Sequence, residues 1–466
     1  MYNSIQHFNE FGVKRIEKKI KNFIFGVAKL PKINYNSNIK LIWGGLSIMR
    51  VYFPDSIKFF KIKDIDVIGN TNNNTLIGLE PDSFDFINQI NNGNEFEYQS
   101  LSEENKKLID TLFENGFVFK EESEANNKQK LAIKSAYLHI TNKCNLHCVA
   151  CYSLDDNRNK CKDMSLEEIK HALLELKSVG VTKVVFSGGE PFLRKDISDM
   201  VIYAKEVLNI PSIDIITNGT VLDCDVLEKI ANHVDSIAVS IDGYSKEHPT
   251  FIRDEGIFET VIKGVETIRD IGIKVSILPT IHEKNVYNLI DYVNLAKELK
   301  VGISFSLMTC NPDEFGDYVI SEENLEYIAK SILDSNEDYV LNDTPLNYCL
   351  QVQESCGAGK TIISIDAVGN VYPCHMLHDK EFLMGNIVNN SLKDILTKSP
   401  VFDEFAKLSV ESISECSECS YKYLCSSGCR ARAFYNSGSV YTKDTFCRMN
   451  KIYFNSLTES IVNSYS

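Results

Sequence analysis

Cysteines are the residues of this chain whose number and spacing most directly indicate chemistry. The 466-residue sequence contains 14 of them, and ten or eleven fall into two groups at short intervals. In a large chain that opens without an export signal, thiols are expected to stay reduced, and grouped thiolates then bind metal rather than form disulfides. The first group is Cys144, Cys148 and Cys151, which directly follows a predicted strand.

The first group has the spacing that an iron–sulfur cube requires. Three thiolates on one tight loop can hold three irons of a 4Fe–4S cube and leave the fourth iron without a protein ligand. An iron left open in this way is available to a substrate or a cofactor. The spacing alone leaves two alternatives open, which are a zinc site that lacks one ligand and three free cysteines.

The second group lies in the C-terminal region and is larger. It consists of Cys356, Cys374, Cys416, Cys419, Cys425, Cys429 and Cys447. A further cysteine, Cys349, precedes the group by seven positions. Pairs of cysteines separated by two residues also suit zinc, so a pair of zinc ribbons is the alternative to iron–sulfur clusters here.

The strands and helices predicted around the first cysteine group must place that group at the end of a sheet. Six apolar strands alternate with helical patterns, and we predict the strands over residues 136–141, 183–187, 213–217, 236–241, 274–281 and 302–307. Strand–helix units in series imply a parallel sheet with right-handed crossovers, here an α/β partial (β/α)6 TIM barrel. Reacting groups in such barrels lie where strands end and loops begin.

The remaining segments divide the chain further. The cysteine-free N-terminal part predicts an α+β domain with a basic helix within 11–30, strands over 58–68 and 75–79, and helices over 82–90 and 102–115. This set of elements resembles a small domain of the winged-helix-like kind. The polar stretch 121–130 reads as a linker. We therefore predict domains at 1–130 and 131–320, a bridging region at 321–347, and a cysteine-rich iron–sulfur domain at 348–466.

Charge and hydropathy exclude several classes of function. The formal net charge is -15, and such an acidic chain repels phosphate backbones, so nucleic acid is not expected as a partner. The longest apolar stretch, 41–53, is too short to span a bilayer and contains Arg50. We therefore predict no membrane span and a cytoplasmic location.

Motifs at the strand ends make the barrel resemble the radical S-adenosylmethionine (SAM) superfamily. They are Ser187-Gly188-Gly189-Glu190-Pro191, Thr217-Asn218-Gly219-Thr220 and Ser240-Ile241-Asp242-Gly243. The resemblance implies that the Gly188 and Gly189 backbone approaches the methionine part of SAM and that the Glu190 carboxylate receives its amino group. It also implies that Asn218, Ser240 and Asp242 line the ribose and carboxylate side. Any one of these motifs alone would equally fit a glycine turn.

One position departs from the family pattern. The family usually has an aromatic residue or histidine just before the third cysteine, where adenine packs, and this chain has Ala150 there. Tyr152, or the backbone alone, is then expected to hold the base.

The C-terminal cysteines resemble the SPASM extension of radical SAM enzymes that modify peptides and proteins. The resemblance implies two auxiliary 4Fe–4S clusters, for a total of three. Cys416, Cys419, Cys425 and Cys447 would hold one, and Cys356, Cys374 and Cys429 the other, with Cys349 as its fourth ligand or that position open to substrate. His375 stands where sulfatase-maturing relatives usually carry a catalytic Asp, and it is either a replacement base or a histidine hydrogen-bonded near the cluster.

The N-terminal region resembles the PqqD type of domain, which captures the leader of a ribosomally made precursor peptide. An exposed edge strand can accept an extended peptide through main-chain hydrogen bonds. The alternative is a domain that only packs against the barrel.

Together the resemblances imply a radical SAM oxidoreductase that crosslinks a precursor peptide, with Cys thioether bonds as the leading product. Carbon–carbon or carbon–oxygen crosslinking and a sulfatase-maturase-like side-chain oxidation are the enzymatic alternatives. A zinc or iron–sulfur scaffold or electron carrier is the non-enzymatic one. An external electron donor of the flavodoxin or ferredoxin type is implied as a further partner.

Overall fold

A ten-stranded sheet organises most of the molecule. The computed structural model describes residues 24–25, 48–125, 133–153, 158–334, 340–342, 344, 346 and 350–465. The N-terminal four-stranded sheet consists of β1 (Ile24–Phe25), β2 (Ile57–Ile62), β3 (Ile65–Asn70) and β4 (Thr75–Leu79). The large sheet contains β5 (Ser135–Thr141), β6 (Lys183–Gly188), β7 (Ser212–Thr217), β8 (Ser236–Ile241), β9 (Val275–Ile281), β10 (Gly302–Leu307), β11 (Val340–Leu341), β12 (Ile362–Ile365), β13 (Asn370–Tyr372) and β14 (Gly385–Asn386).

Strands β5 to β10 form the predicted parallel, barrel-like sheet in chain order. Helices follow the strands: α4 (Leu166–Ser178), α5 (Ile197–Ile202), α6 (Cys224–Ile230), α7 (Phe258–Asp270) and α8 (Leu289–Leu299). The predicted capping box is present at the start of α4, where the Ser165 side chain accepts from the Glu168 backbone and the Glu168 side chain accepts from the Ser165 backbone. The prediction of a partial α/β barrel is confirmed.

Alternation along the central strands leaves the middle of the barrel open. Ile213, Ile215 and Ile237 are fully buried in the core between the sheet and its helices. The intervening residues Asp214 and Ser236 are half-buried and line a central cavity. Because side chains alternate between the two faces of a strand, this pattern gives an apolar outer face and a polar inner one.

The cysteine-rich region continues the barrel sheet instead of forming a separate body. Strand β12 pairs in parallel with β5, and β13 and β14 follow as antiparallel partners. At the opposite edge, β11 pairs with β10. The sequence did not indicate this shared sheet, because the pairing of β12 with β5 joins residues far apart in the chain.

Short helices make up much of the rest of the C-terminal region. Before it come α9 (Pro312–Phe315) and α10 (Glu322–Asp334); within it lie α11 (Leu392–Lys398), α12 (Pro400–Lys407), α13 (Ser414–Ser417), α14 (Lys422–Cys425), α15 (Arg430–Ser437) and α16 (Cys447–Tyr465). In the described part of the chain, none of the helices has the length and apolar character needed to cross a membrane.

Three expectations for the N-terminal region need correction. The predicted strand 58–68 is a hairpin of β2 and β3, because Lys63 adopts a positive φ of 54° and turns the chain. Residues 24–25 belong to β1, which pairs with β4, so the basic helix predicted within 11–30 does not include them; the rest of that segment lies outside the described residues. The expected linker contains the short helix α3 (Glu122–Ala125). Helices α1 (Pro81–Asn91) and α2 (Glu103–Glu114) agree with the prediction.

The N-terminal sheet packs against the C-terminal region. Lys58 forms an ion pair with Glu354 at 2.8 Å, and the rings of Phe60 and Tyr423 lie 5.1 Å apart. Ile62, Val67 and Leu76 share one hydrophobic cluster with residues of α10 and α16. Packing of this kind buries one face of the small sheet.

Candidate active site

The three cysteines of the first group lie at the carboxyl end of β5. Cys144, Cys148 and Cys151 are half-buried and line a cavity of about 660 Å³ inside the barrel. Six other residues predicted for the site line the same cavity: Gly188, Gly189, Asn218, Ser240, Tyr152 and His375. The structure therefore brings most of the predicted site into one place. Ala150, the departure from the family pattern, also lies on the cavity wall and has a positive φ of 51°.

The two glycines after β6 let the chain pack against the cysteine loop. The Gly189 N–H donates to Thr141 O at 2.8 Å, and the Glu190 N–H donates to Lys143 O at 2.7 Å. A Cβ atom on Gly189 would overlap the Lys143 carbonyl oxygen, and Gly188 has a φ of 131°. Glycine is required at both positions because the backbones approach too closely for a side chain.

Glu190 lies behind the cavity wall, with its carboxylate bonded inside the protein. Its Oε1 accepts from Phe192 N at 3.0 Å and Thr217 Oγ1 at 2.8 Å, and its Oε2 accepts from Asn218 N at 2.7 Å. Burial raises the pKa of Glu190, although these hydrogen bonds oppose the shift. Glu190 therefore fixes the loop that carries Asn218, and a contact of its carboxylate with the SAM amino group stays a prediction.

Asp242 likewise holds a loop instead of lining the cavity. Its Oδ2 accepts from Thr250 Oγ1 at 2.8 Å and from the backbone N–H groups of Phe251, Ile252 and Arg253. Its side chain is nearly buried. Asp242 therefore stabilises segment 250–254, and the expectation that it lines the ribose and carboxylate side of SAM stays a prediction.

Segment 250–254 forms hydrogen bonds with the second half of the cysteine loop. The Val149 N–H donates to Ile252 O at 2.7 Å, and the His147 N–H donates to Asp254 Oδ1 at 3.0 Å. A matching contact holds the first half, where Asn159 Oδ1 accepts from Cys144 N at 2.9 Å. The loop is therefore fixed on both sides by contacts within the protein, as pre-organised sites require.

Each cysteine sulfur of this loop also has one nitrogen donor. The pairs are Asn218 Nδ2 with Cys144 at 4.0 Å, Arg253 Nη1 with Cys148 at 3.5 Å, and Arg158 Nη2 with Cys151 at 3.7 Å. Burial raises the pKa of the Cys148 thiol, Arg253 opposes the shift, and the neighbouring thiols Cys151 and Cys144 add to it. Three close, half-buried thiols with a donor at each sulfur fit an iron–sulfur cube, whose sulfurs are commonly hydrogen-bonded.

Residues of the C-terminal region close the cavity from the opposite side. His375 stacks on Tyr137 with ring centroids 3.9 Å apart, and it meets Tyr152 edge-on at 5.6 Å. Its Nδ1 lies 3.7 Å from the sulfur of Cys374. Tyr152 also bonds to Ser187 Oγ at 2.7 Å, and burial within the barrel raises its pKa to about 12. Tyr152 therefore remains a neutral phenol that faces the cavity.

The cysteines of the second group form two sets in space. Burial is the main cause that raises the pKa of Cys416 to about 11, and Cys447 and Cys419 add to this shift. Burial also raises the pKa of Cys425, with further contributions from Cys447 and Cys416. The other set, Cys356, Cys374 and Cys429, packs around one separate hydrophobic cluster. Cys349 lies outside the described residues.

A buried ion pair joins the two sets. Asp444 accepts from Cys429 N at 2.7 Å and binds Arg432 through both carboxylate oxygens at 2.9 Å. Burial would raise the pKa of Asp444, but Arg432 holds it below its usual value. The Cys447 N–H donates to the main-chain oxygen of Asp444 at 3.0 Å, so Asp444 bonds to the backbone of a cysteine of each set.

No group of three described His, Cys, Asp or Glu side chains is arranged to hold a single metal ion. The thiolates of a cube bind different irons, so they lie farther apart than the ligands of one zinc ion.

Sequence-based reasoning missed Arg158, Arg253, Asn159 and Asp254. These residues belong to irregular loops, where neither periodicity nor a recognised motif marked them. The one available signal was that charged residues follow the cysteine loop and the end of β8, at the edge of the sheet where a site was expected.

Two family models match the chain. Residues 138–296 match the Radical SAM superfamily, and residues 356–420 match SPASM, an iron–sulfur cluster-binding domain. The chain therefore contains a radical SAM domain and a SPASM domain, and the prediction that it is an enzyme is confirmed. The alternative of a non-enzymatic scaffold is thereby wrong.

Similar proteins include both a heme synthase and a mycofactocin maturase. The chain is 27% identical over 339 residues to an AdoMet-dependent heme synthase of Methanosarcina barkeri, which covers 66% of this chain and 94% of that protein. It is 28% identical over 327 residues to the mycofactocin maturase MftC of Mycolicibacterium smegmatis, which covers 66% of this chain and 81% of that protein.

Solved structures share the fold. The SAM-bound structure of anSMEcpe has a TM-score of 0.60 at 20% identity and covers 71% of this chain and 95% of its own. The structure of Streptococcus suis SuiB bound to its precursor peptide SuiA has a TM-score of 0.57 at 16% identity. The match covers 85% of this chain and 99% of the SuiB chain. At these identities the likeness concerns the fold alone.

Proposed function

We propose that the protein is a radical SAM maturase that oxidatively crosslinks a ribosomally synthesised precursor peptide, with a Cys thioether bond as the leading product. One observation carries the proposal. A single cavity is lined both by Cys144, Cys148 and Cys151 and by His375 and Met376, which follow Cys374 of the C-terminal group. A substrate in that cavity would lie between a SAM-binding cluster and an auxiliary cluster.

The cysteine loop would hold the catalytic cluster and SAM. When bound, the SAM–cluster pair supplies a 5′-deoxyadenosyl radical that removes a hydrogen atom from an unactivated carbon. Cys144, Cys148 and Cys151 would bind three irons, and Asn218, Arg253 and Ser240 line the space where the polar groups of SAM would lie. Gly188 and Gly189 complete this wall by packing on the cysteine loop.

The opposite wall would serve the later, bond-forming step. A crosslink that joins a carbon to a sulfur, oxygen or second carbon releases one more electron, which the auxiliary clusters can accept. We assign one of these clusters to Cys416, Cys419, Cys425 and Cys447, and the other to Cys356, Cys374, Cys429 and the undescribed Cys349. By its position on the cavity wall, His375 is the proposed proton acceptor for the attacking group.

The peptide as substrate is supported by architecture and by similarity. The MftC relatives are named as maturases, and SuiB, which matches over 85% of this chain, was crystallised with a precursor peptide. We further propose that the N-terminal domain holds the leader of the peptide. The four-stranded sheet has β2 at its edge, the kind of strand that can add an extended peptide.

The test is incubation of the reconstituted enzyme with SAM, dithionite and a precursor peptide that carries its leader. The proposal predicts 5′-deoxyadenosine and a peptide lighter by two hydrogens per link. Cys144→Ala should abolish SAM cleavage, whereas Cys224→Ala should not, because Cys224 is exposed on α6 and outside both groups. SAM cleavage with an unchanged peptide mass would contradict crosslinking.

A second candidate function follows from the heme synthase relatives. They match the chain at 27% identity, so a tetrapyrrole substrate is the alternative to a peptide. Those relatives cover 66% of this chain, whereas SuiB, which was crystallised with a precursor peptide, covers 85% of it, and this difference favours the peptide. Loss of carbon dioxide from an added iron-porphyrin carboxylate, with no change in the peptide, would support the alternative.

A further inference from the structure

Two arginines reach the sulfurs of the cysteine loop, and they have no role in the family motifs described above. We propose that Arg158 and Arg253 set the reduction potential of the cube held by Cys144, Cys148 and Cys151. This inference rests on the proposed function, because it needs a cube at that site. The carrying observation is that each guanidinium contacts a different cysteine sulfur, at 3.7 Å for Arg158 and 3.5 Å for Arg253.

Arg158 is fixed in place by its own short contacts. Its Nη2 donates to Ser153 O at 2.7 Å and to Ser153 Oγ at 2.9 Å, while the same nitrogen faces the sulfur of Cys151. Ser153 Oγ in turn donates to Gly188 O at 3.0 Å, which ties the assembly to the end of β6. The charge therefore stays beside the thiol instead of extending into solvent.

Arg253 is fixed through its backbone. The Arg253 N–H donates to Asp242 Oδ2 at 2.9 Å, and the adjacent Ile252 binds the cysteine loop at Val149. These bonds hold the side chain over Cys148. Among the described residues, neither Arg158 nor Arg253 forms a direct ion pair with a carboxylate, although Glu190 interacts with Arg253 electrostatically and Asp254 acts on Cys148 in the opposite sense to Arg253.

Electrostatics fixes the direction of the effect. Reduction adds one electron, and so one negative charge, to a cube that already carries three thiolates. A nearby cation stabilises the reduced form more than the oxidised form, because the interaction energy grows with the charge. No proton moves, and no bond to the arginines forms or breaks. The neutral Asn218 amide at Cys144 contributes a dipole only and should matter less.

The experiment is a redox titration of the reconstituted full-length enzyme, with dithionite as the one-electron reductant and electron paramagnetic resonance as the readout. The signal of this cube is assigned by its change when SAM is added. The variants are Arg158→Met and Arg253→Met, which keep an unbranched chain and remove the charge, and Arg158→Lys and Arg253→Lys, which keep the charge. Lys162→Met is the matched control, because Lys162 is an exposed cation near the loop with no bond to a cysteine sulfur.

The proposal predicts a lower midpoint potential in both methionine variants, a smaller shift in the lysine variants and none in Lys162→Met. Solvent screening explains the null result for the control. Unchanged or higher potentials in the methionine variants would overturn the proposal. If a methionine variant fails to assemble the cube, Arg→Gln at the same position, which also removes the charge, decides. An unchanged or higher midpoint potential in that variant would overturn the proposal. A wild-type enzyme without this cube would instead overturn the proposed function.

Discussion

Asp242→Ala is expected to loosen the cysteine loop from a distance. Asp242 Oδ2 accepts hydrogen bonds from the Thr250 hydroxyl and from three backbone N–H groups, those of Phe251, Ile252 and Arg253. Alanine would leave these backbone donors without an acceptor in a nearly buried place. Segment 250–254 would then lose the geometry with which it holds the second half of the loop.

The expected magnitude follows from the number of bonds. An unsatisfied buried donor costs about 1–3 kcal/mol, so three of them cost at least about 3 kcal/mol. Asp242→Asn keeps one acceptor oxygen without the charge, and neutral hydrogen bonds are roughly half as strong as charge-assisted ones. We therefore expect Asn to cost less than Ala, with both losses localised at 250–254 and at the loop residues that this segment binds.

Hydrogen–deuterium exchange measures this directly. Amides of 250–254 and the Val149 N–H should exchange faster in Asp242→Ala, less so in Asp242→Asn, and as in the wild type in the exposed control Asp317→Asn. Iron content should fall in the same order. Wild-type exchange at Val149 in Asp242→Ala would refute the reasoning, because the hold of segment 250–254 on the cysteine loop would then not depend on the Asp242 carboxylate.

Three further predictions concern other buried groups. Asp444→Asn leaves the Arg432 charge buried and uncompensated, so the free energy of unfolding should fall by about 3–5 kcal/mol. The measurements are the unfolding midpoint in denaturant, which should be lower, and the iron content of the auxiliary clusters, which should fall. An unchanged midpoint would contradict the prediction. Burial lowers the pKa of His282 to about 4. Below pH 6.5 the unfolded chain therefore binds a proton at His282 that the folded chain does not bind. The free energy of unfolding should fall by about 3 kcal/mol as the pH drops from 6.5 to 4. Unfolding of His282→Gln at several pH values should show a shallower dependence, and a slope equal to that of the wild type would exclude this cause. Glu190→Gln replaces a charge-assisted bond to the Asn218 backbone by a neutral bond of roughly half the strength, so SAM binding should weaken by about 1 kcal/mol in calorimetry. Equal affinity would show that SAM binding does not depend on this bond.

The fold could be predicted from the sequence where the pattern is local. Strand alternation and a capping box at Ser165 located the barrel elements to within a few residues, because both signals lie in neighbouring positions. The turn at Lys63 was missed, since a lysine with positive φ leaves no compositional trace of the kind that glycine or asparagine gives. The pairing of β12 with β5 was missed because it depends on contacts between distant segments.

For the site, the sequence predicted the residues that could hold a cluster better than the hydrogen bonds that hold the surrounding loops in place. Cysteine spacing located the loop, and the glycine motif located the facing wall. The sequence did not show that Glu190 and Asp242 hold loops, because it indicates that a carboxylate is near a site but not which donors surround it. Both carboxylates satisfy backbone N–H groups that would otherwise be buried without partners.

The central claim is that Cys144, Cys148 and Cys151 hold an iron–sulfur cube with one iron open to SAM. Electron paramagnetic resonance of the anaerobically reduced enzyme, before and after SAM is added, tests it most directly. We predict that SAM changes the signal of one cube in the wild type and that Cys148→Ala lacks both this signal and its change. Signals that do not respond to SAM in the wild type, or a response that persists in Cys148→Ala, would contradict the account.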